Sequence, residues 1–302
     1  MSKQNTPHVP PTSLISSKRN QHLVWRVVQY TVAVLVIAYC VFPIVWIFSA
    51  SIDPRNSLQT AQLIPPNASF RNYEFLLTNT TQPYLRWMLN SIKVSSIASV
   101  LSVFITALSA YAFSRFRFAG RRTLLLVTFL LQVFPSSLMI VAMFLLLKDF
   151  GDVVPALGLN SHAGLILVYL GGVLGINVWL MKGILDTVPR ALDESAKIDG
   201  ATDWQIFWLV ILPLIRPIMI IIAILTFVGT WADFLLPQIL LQDTQQFTLA
   251  VGLIIFARQQ FAQNWGVFSA GALMGAVPTI IIYLLVQDYI VSGLTSGAVK
   301  GE

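Results

Sequence analysis

The sequence predicts an all-α, polytopic membrane protein with six transmembrane helices, on three observations. Only 11% of the 302 residues are charged and 56% are hydrophobic, where a soluble domain carries about 25% charged residues. The apolar residues gather into runs of about 20, the length that crosses a ~30 Å hydrocarbon core at ~1.5 Å per residue. The basic residues stand just outside those runs and form no face of their own, so the net charge of +6 marks membrane orientation and not a nucleic-acid surface.

Six spans are expected, at about 27–49, 90–113, 123–147, 163–183, 209–231 and 267–290. Residues 1–20 read as a polar, disordered N-terminal tail, residues 21–302 as one six-span membrane domain, and 291–302 as a C-terminal tail. The first span could pass for a secretory signal, because "FSAS" at 48–51 resembles a cleavage site. Its apolar run exceeds the roughly 7–15 residues of a signal core, so an uncleaved span is expected. Cys40 lies inside it as a packing residue, and a single cysteine excludes an internal disulfide.

With six spans both termini share a side. That side collects 13 of the 19 Lys and Arg residues, four of them in "SRFRFAGRR" at 114–122. Both termini are therefore expected in the cytoplasm.

Within the spans, Gly171-x-x-x-Gly175 and Gly271-x-x-x-Gly275 would let helix backbones approach closely. Gln132, Pro135 and Asn177 are polar or kinking residues in apolar helices. Gln132 and Asn177 are candidates for a substrate path, or else simply bond a neighbouring helix. Asp233 falls near the outer end of span five, and mid-span acids, which a proton-coupled carrier would use, are missing. No His/Cys/carboxylate set has metal-ligand spacing. No Gly-x-x-x-x-Gly-Lys-Ser/Thr loop occurs, so any ATP must be bound by another chain. The segments 50–89 and 232–266 lie on the outer side.

The charges that remain gather between spans four and five, in "ALDESAKIDGATDWQIFWLVILP" (191–213). Thr187 could cap a helix with Pro189 in its first turn. Asp193 and Glu194 come early and Lys197 late, as the helix dipole favours. Gly200 suits a left-handed C-terminal position. Thr202 with Gln205 reads as a capping box opening the next helix, and Pro213 and Pro217 would kink or restart it. Leu192, Ser195, Ala196 and Asp199 share one face by spacing. The knob either docks into a partner or is a solvated connection between two spans.

Glu194-Ser195-Ala196, Gly200, Val210 and Leu212-Pro213 resemble the EAA motif of bacterial ABC importer permeases, Glu-Ala-Ala-x3-Gly-x9-Ile-x-Leu-Pro. Ser195 and Val210 depart from it conservatively. "CVFPIVWIFSAS", "NSIKVS", "AYAFSRFRFAGRR" and "KIDGATDWQIF" are similar to the carbohydrate-uptake, maltose/trehalose-type subfamily, and "GLTSGAVKG" (293–301) to its shorter permease.

The resemblance implies a type I ABC importer permease fold in a bacterial cytoplasmic membrane. It implies a non-catalytic subunit of a sugar importer, for a di- or oligosaccharide such as maltodextrin or trehalose. The implied partners are a second homologous permease, a cytoplasmic ABC ATPase dimer holding ATP and Mg, and an extracytoplasmic sugar-binding protein. It further implies ATPase coupling through Glu194, Ser195, Ala196, Asp199, Gly200, Ala201, Leu212 and Pro213. Thr295, Ser296, Gly297 and Lys300 would form a C-terminal ATPase contact, and Phe247, Thr248, Leu249 and Gly252 a binding-protein contact. Alternatives are a permease for another class, such as glycerol phosphate or another oligosaccharide, an autonomous carrier or channel, and an intramembrane enzyme.

Overall fold

The computed structural model describes residues 13–56, 62–172, 175–258 and 264–298, with backbone only at 13–21, 136–137 and 288–298. Among the described residues every regular element is helical. The first helix, α1 (Ser13–Ser51), is followed by the short α2 (Arg71–Thr78) and the long α3 (Tyr84–Arg115). Then come α4 (Arg121–Val133), α5 (Ser136–Val153), α6 (His162–Gly171), α7 (Ile176–Thr187) and α8 (Ala191–Ile198). A single rod of 30 residues runs from Asp203 to Ala232: α9 (Asp203–Gln205), a π-helical stretch (Ile206–Ile211) and α10 (Leu212–Ala232). The short α11 (Leu235–Leu240) and α12 (Leu249–Arg258) precede the last long helix, α13 (Trp265–Ala298).

Four helices are long and apolar enough to cross a membrane, and spans three and four are each a bent pair. The third breaks at Phe134–Pro135, where the chain is extended, because proline lacks an N–H and pushes its predecessor out of the helical region. Its halves meet at 108°. The fourth breaks after Gly172 and resumes at Ile176, bent by 55°. Gly171-x-x-x-Gly175, expected as a packing face, is thus the site of the break. A Cβ on Gly171 would meet nothing, whereas one on Gly175 would run into the Gln132 side chain.

Both ends of the chain are more helical than expected. Pro10 and Pro11 are the last prolines before Pro43, and α1 begins at Ser13, inside the stretch expected as a tail. Residues 1–12 lie outside the described residues. At the other end α13 runs on through Ala298, past Pro278, Gly293 and Gly297, and takes in most of residues 291–302.

The centre is the packing of α10 and α7 on α3. The buried side of α3 is a stripe of small residues, Ser91, Ser95, Ser99, Ser102, Thr106 and Ala110 among them, which lets neighbouring backbones come close. The Ser99 hydroxyl donates to the Ala223 carbonyl at 2.6 Å, spanning helices where the lipid offers no alternative partner. By contrast α1 rests on α13 and leaves its apolar window exposed.

The end of the bundle remote from the 114–122 loop, called the far end below, is closed by α12. Gly252 abuts the fully buried Trp87 ring, which a Cβ would approach to 2.1 Å. Gly271 and Gly275 face Leu253 and Leu249 of α12. The second Gly-x-x-x-Gly motif therefore seats a short helix, and the Tyr84 hydroxyl donates to the Gly271 carbonyl at 2.8 Å.

Candidate functional site

The charged segment forms a knob at the basic end. α8 carries no side-chain cap and starts after Arg190. Thr187 ends α7 instead of opening α8, its hydroxyl donating back to the Ile184 carbonyl. Pro189 lies in the link between them, since a helix cannot run through the residue that precedes a proline without strain.

The end of α8 follows its sequence. Gly200 has φ +85°; its N–H donates to the Lys197 carbonyl at 3.0 Å, and that of Ala201 to Ala196 at 2.9 Å, the paired bonds of a Schellman motif. Thr202 and Gln205 cap each other reciprocally. Lys197 reaches over the turn to Asp203 at 2.8 Å, and this bond raises the lysine pKa above its ordinary value.

The base of the knob is a buried charge network that joins three segments. Arg115 Nε sits 2.6 Å from Asp193 Oδ2, with side chains only 7% and 12% exposed. Arg115 Nη2 also donates to the Val188 carbonyl at 3.0 Å. Arg190 Nη2 donates to the Ser114 carbonyl at 3.0 Å, and the Ser114 hydroxyl to Asp186 at 2.6 Å. Burial pushes the Asp193 carboxyl up, against the pull of Arg115, Lys197 and Arg190. Arg115 had been counted only for membrane orientation. The available signal was that Arg115 and Asp193, of opposite charge, both fall in segments that link spans.

This network decides which face of α8 is displayed. Asp193 and Ala196 turn inward, and Ala196 and Ala201 pack on the core formed by Tyr111, Leu185, Phe207 and Ile211. Ala196 is therefore not on the displayed face, as its spacing with Leu192 and Ser195 suggested; the buried ion pair rotates it away. Leu192, Glu194, Ser195 and Asp199 are exposed, and so are Ile198 at 87% and Trp204 at 56%. An isoleucine so exposed at the tip was missed, although Ile198 follows Leu192 and Ser195 at three-residue steps. Leu212 packs on the core and Pro213 is exposed. Just before Pro213 the helix widens to the π-helical turn, with the Leu212 N–H bonded to Phe207.

The other candidates fall elsewhere. Gln132 spans the break in the fourth span, donating to the Gly172 carbonyl at 3.2 Å and accepting from the Ile176 N–H at 3.1 Å. It thereby replaces bonds that the broken helix lost. Asn177 lines an open cleft of about 480 Å³ together with Tyr169, Thr226, Thr230 and Asp233.

Thr248, Leu249 and Gly252 are buried and Phe247 half-buried. They hold α12 in place, because apolar α12 packs against Trp87 and Tyr84. The exposed neighbours are Gln242 and Asp243, in a turn anchored by side chains. Trp87 Nε1 donates to the Thr244 carbonyl at 2.7 Å, and Asn90 Nδ2 to those of Gln245 and Phe247. Thr295, Ser296 and Gly297 continue α13 in its backbone, and Lys300 lies outside the described residues.

Residues 84–295 match the family described as binding-protein-dependent transport system inner membrane component. The chain is 38% identical over 302 residues to the maltose/maltodextrin transport system permease protein MalG of Vibrio vulnificus (strain YJ016), covering 96% of this chain and 100% of that protein. It is 37% identical to MalG of Escherichia coli (strain K12), over 91% of this chain and 95% of that protein. To the galactooligosaccharides transport system permease protein GanQ of Bacillus subtilis (strain 168) it is 38% identical, over 90% and 95%. Its fold is that of a chain in a bacterial ABC transporter involved in import of the acidic polysaccharide alginate, with TM-score 0.76 and 24% identity over 93% of this chain and 99% of that one. The chain belongs to the binding-protein-dependent transport system inner membrane component family.

Proposed function

We propose that this chain is the permease subunit of an ATP-driven importer of oligosaccharides, with the α8 knob as its coupling element. The observation that carries the proposal is the knob itself: an exposed apolar tip, Ile198, on a helix fixed by a buried ion pair to the end of α3. An exposed apolar residue on so rigid a mount suits insertion into a cleft of another protein. The relatives named for maltodextrin and galactooligosaccharide transport support the sugar class.

In this reading both termini and the knob are cytoplasmic, in a bacterial cytoplasmic membrane. The knob sits in a cytoplasmic ATPase dimer that binds ATP and Mg. A second homologous permease completes the path, and an extracytoplasmic sugar-binding protein delivers the cargo. Glu194, exposed on the flank of the knob, pairs with a basic group of the ATPase. Closure of the ATPase dimer pushes α8; the Arg115–Asp193 pair passes the push to α3, and the Gly200 turn passes it through α9 to α10. The two rods that pack together at the centre then tilt as a body, a rigid-body switch between inward- and outward-facing states.

The test places a cysteine at the tip, Ile198→Cys in a Cys40→Ser background, in the assembled complex. A short thiol crosslinker should join it to the ATPase and abolish sugar uptake. No crosslink, or uptake of sugar by vesicles that lack the ATPase, would overturn the proposal.

A further inference from the structure

The strongest unassigned feature is the cleft at the outer half of α10. Thr226 and Thr230 lie six and two residues before the end of that helix, which places them within ~9 Å of its outer end at ~1.5 Å per residue. Tyr169 and Asn177 face them from the two sides of the break in span four, and Asp233 closes the outer rim. Gly229 leaves the floor of the cleft without a side chain, since a Cβ there would meet no other group. The volume of about 480 Å³ is within the roughly 300–1,000 Å³ of small-molecule sites.

The polar groups are arranged and not scattered. The Tyr169 hydroxyl donates to Asp233 Oδ2 at 2.8 Å, and Asp233 Oδ1 accepts from the Leu235 N–H at 3.0 Å, so ring and carboxylate are both fixed. The Thr230 hydroxyl shares its one proton between the backbone carbonyls of Thr226 and Phe227, which leaves its lone pairs for an incoming donor. Ionisable and hydroxyl groups lining a cavity within an apolar helix bundle are costly unless a polar ligand or water meets them.

We infer that this cleft is a sugar site on this subunit and that it selects neutral glycosyl units over uronates. A hexose presents hydroxyl donors to Asp233 and Thr230, a hydroxyl to the Asn177 amide and an apolar C–H face to the Tyr169 ring. Among the described residues that line the cleft none is basic, so a uronate carboxylate would meet Asp233 with no compensating cation. The inference rests on the importer reading above. It also separates this chain from the alginate importer whose fold it shares.

The experiment uses the complete complex in proteoliposomes, with ATP and saturating binding protein. Uptake of labelled maltotriose, a galactotriose and a triuronate is measured together with ATP hydrolysis. Wild type should import a neutral trisaccharide and discriminate against the triuronate. Tyr169→Phe, Thr230→Val and Asp233→Asn should each lower the sugar imported per ATP hydrolysed at least fivefold, and Asp233→Asn should narrow the discrimination. A variant that merely misfolds lowers uptake and hydrolysis together and leaves their ratio intact, so the ratio decides. Unchanged ratios in all three variants, or a wild type that prefers the triuronate, would overturn the inference alone. A wild type that imports none of the three would overturn the importer reading, and this inference with it.

Discussion

At the basic end, an eight-residue helix stands on a buried Arg115–Asp193 pair and turns Ile198 to solvent. At the far end, a ten-residue helix, α12, is sunk against Trp87, Tyr84 and two glycines of α13, with Leu249, Val251, Leu253 and Phe256 buried. Both are short helices between long ones, and both have glycines at the contact or the turn. The difference is in what holds them. Guanidinium–carbonyl hydrogen bonds, as Arg115 makes to Val188 and Arg190 to Ser114, are directional, so together with the ion pair they can fix a helix by one edge and leave the opposite face free. Apolar packing has no preferred direction and is satisfied only by enclosure. A directional anchor therefore suits a surface that must be displayed, and packing suits a plug.

Four substitutions sharpen or break that contrast, in decreasing order of effect on stability. Arg115→Ala strands the Asp193 carboxylate in a buried position, which costs about 3–5 kcal/mol for a broken buried pair. Thermal unfolding of the purified protein should show this loss, and Arg115→Met with Asp193→Leu should regain most of it. If the single change is silent, the knob is not held by charge. Gly252→Val forces side-chain atoms into the Trp87 ring and should cost about 1–3 kcal/mol by overpacking; an unaltered melting temperature would mean that α12 is not a packed plug.

Gly200→Val is a purely conformational test, because its Cβ would meet open space while φ stays at +85°. A β-branched residue in that left-handed region should cost about 1–2 kcal/mol and reduce ATP-driven uptake more than its stability loss explains. Ile198→Ser removes only an exposed side chain, so stability should stay within about 0.5 kcal/mol. Uptake should nonetheless fall at least tenfold. If uptake is retained, the tip is not the contact.

The contrast also shows where sequence reading works. The Schellman turn at Gly200, the Thr202–Gln205 capping box and the Asp193/Glu194-to-Lys197 polarity are local, since each depends on residues within five positions, and all three stand in the structure as their spacing indicates. The misreadings were non-local. Ala196 shared a face by spacing with Leu192 and Ser195, and the pair of Asp193 with Arg115, 78 residues before it, turned Ala196 inward. Gly171-x-x-x-Gly175 had the pattern of a packing face, yet Gln132 from another span fills the space beside Gly175. "FTLAVGL" reads as an apolar stretch, and only Trp87, some 160 residues away, shows what Gly252 packs on. Tyr169, Thr226, Thr230 and Asp233 were individually visible as polar residues in or near spans, but nothing local put them round one cleft.

The sequence by itself determined the helical class, the membrane as solvent, the number of apolar segments and the course of the turn at Gly200. These follow from run length, charge deficit and short-range backbone chemistry, which act without reference to the rest of the chain. The tertiary structure decided that two spans break, that α1 stays uncovered while α12 is enclosed, and that the polar groups of α6, α7 and α10 converge. Those outcomes turn on which distant side chain occupies a given volume or completes a given bond, and packing settles that only when all the helices are in place.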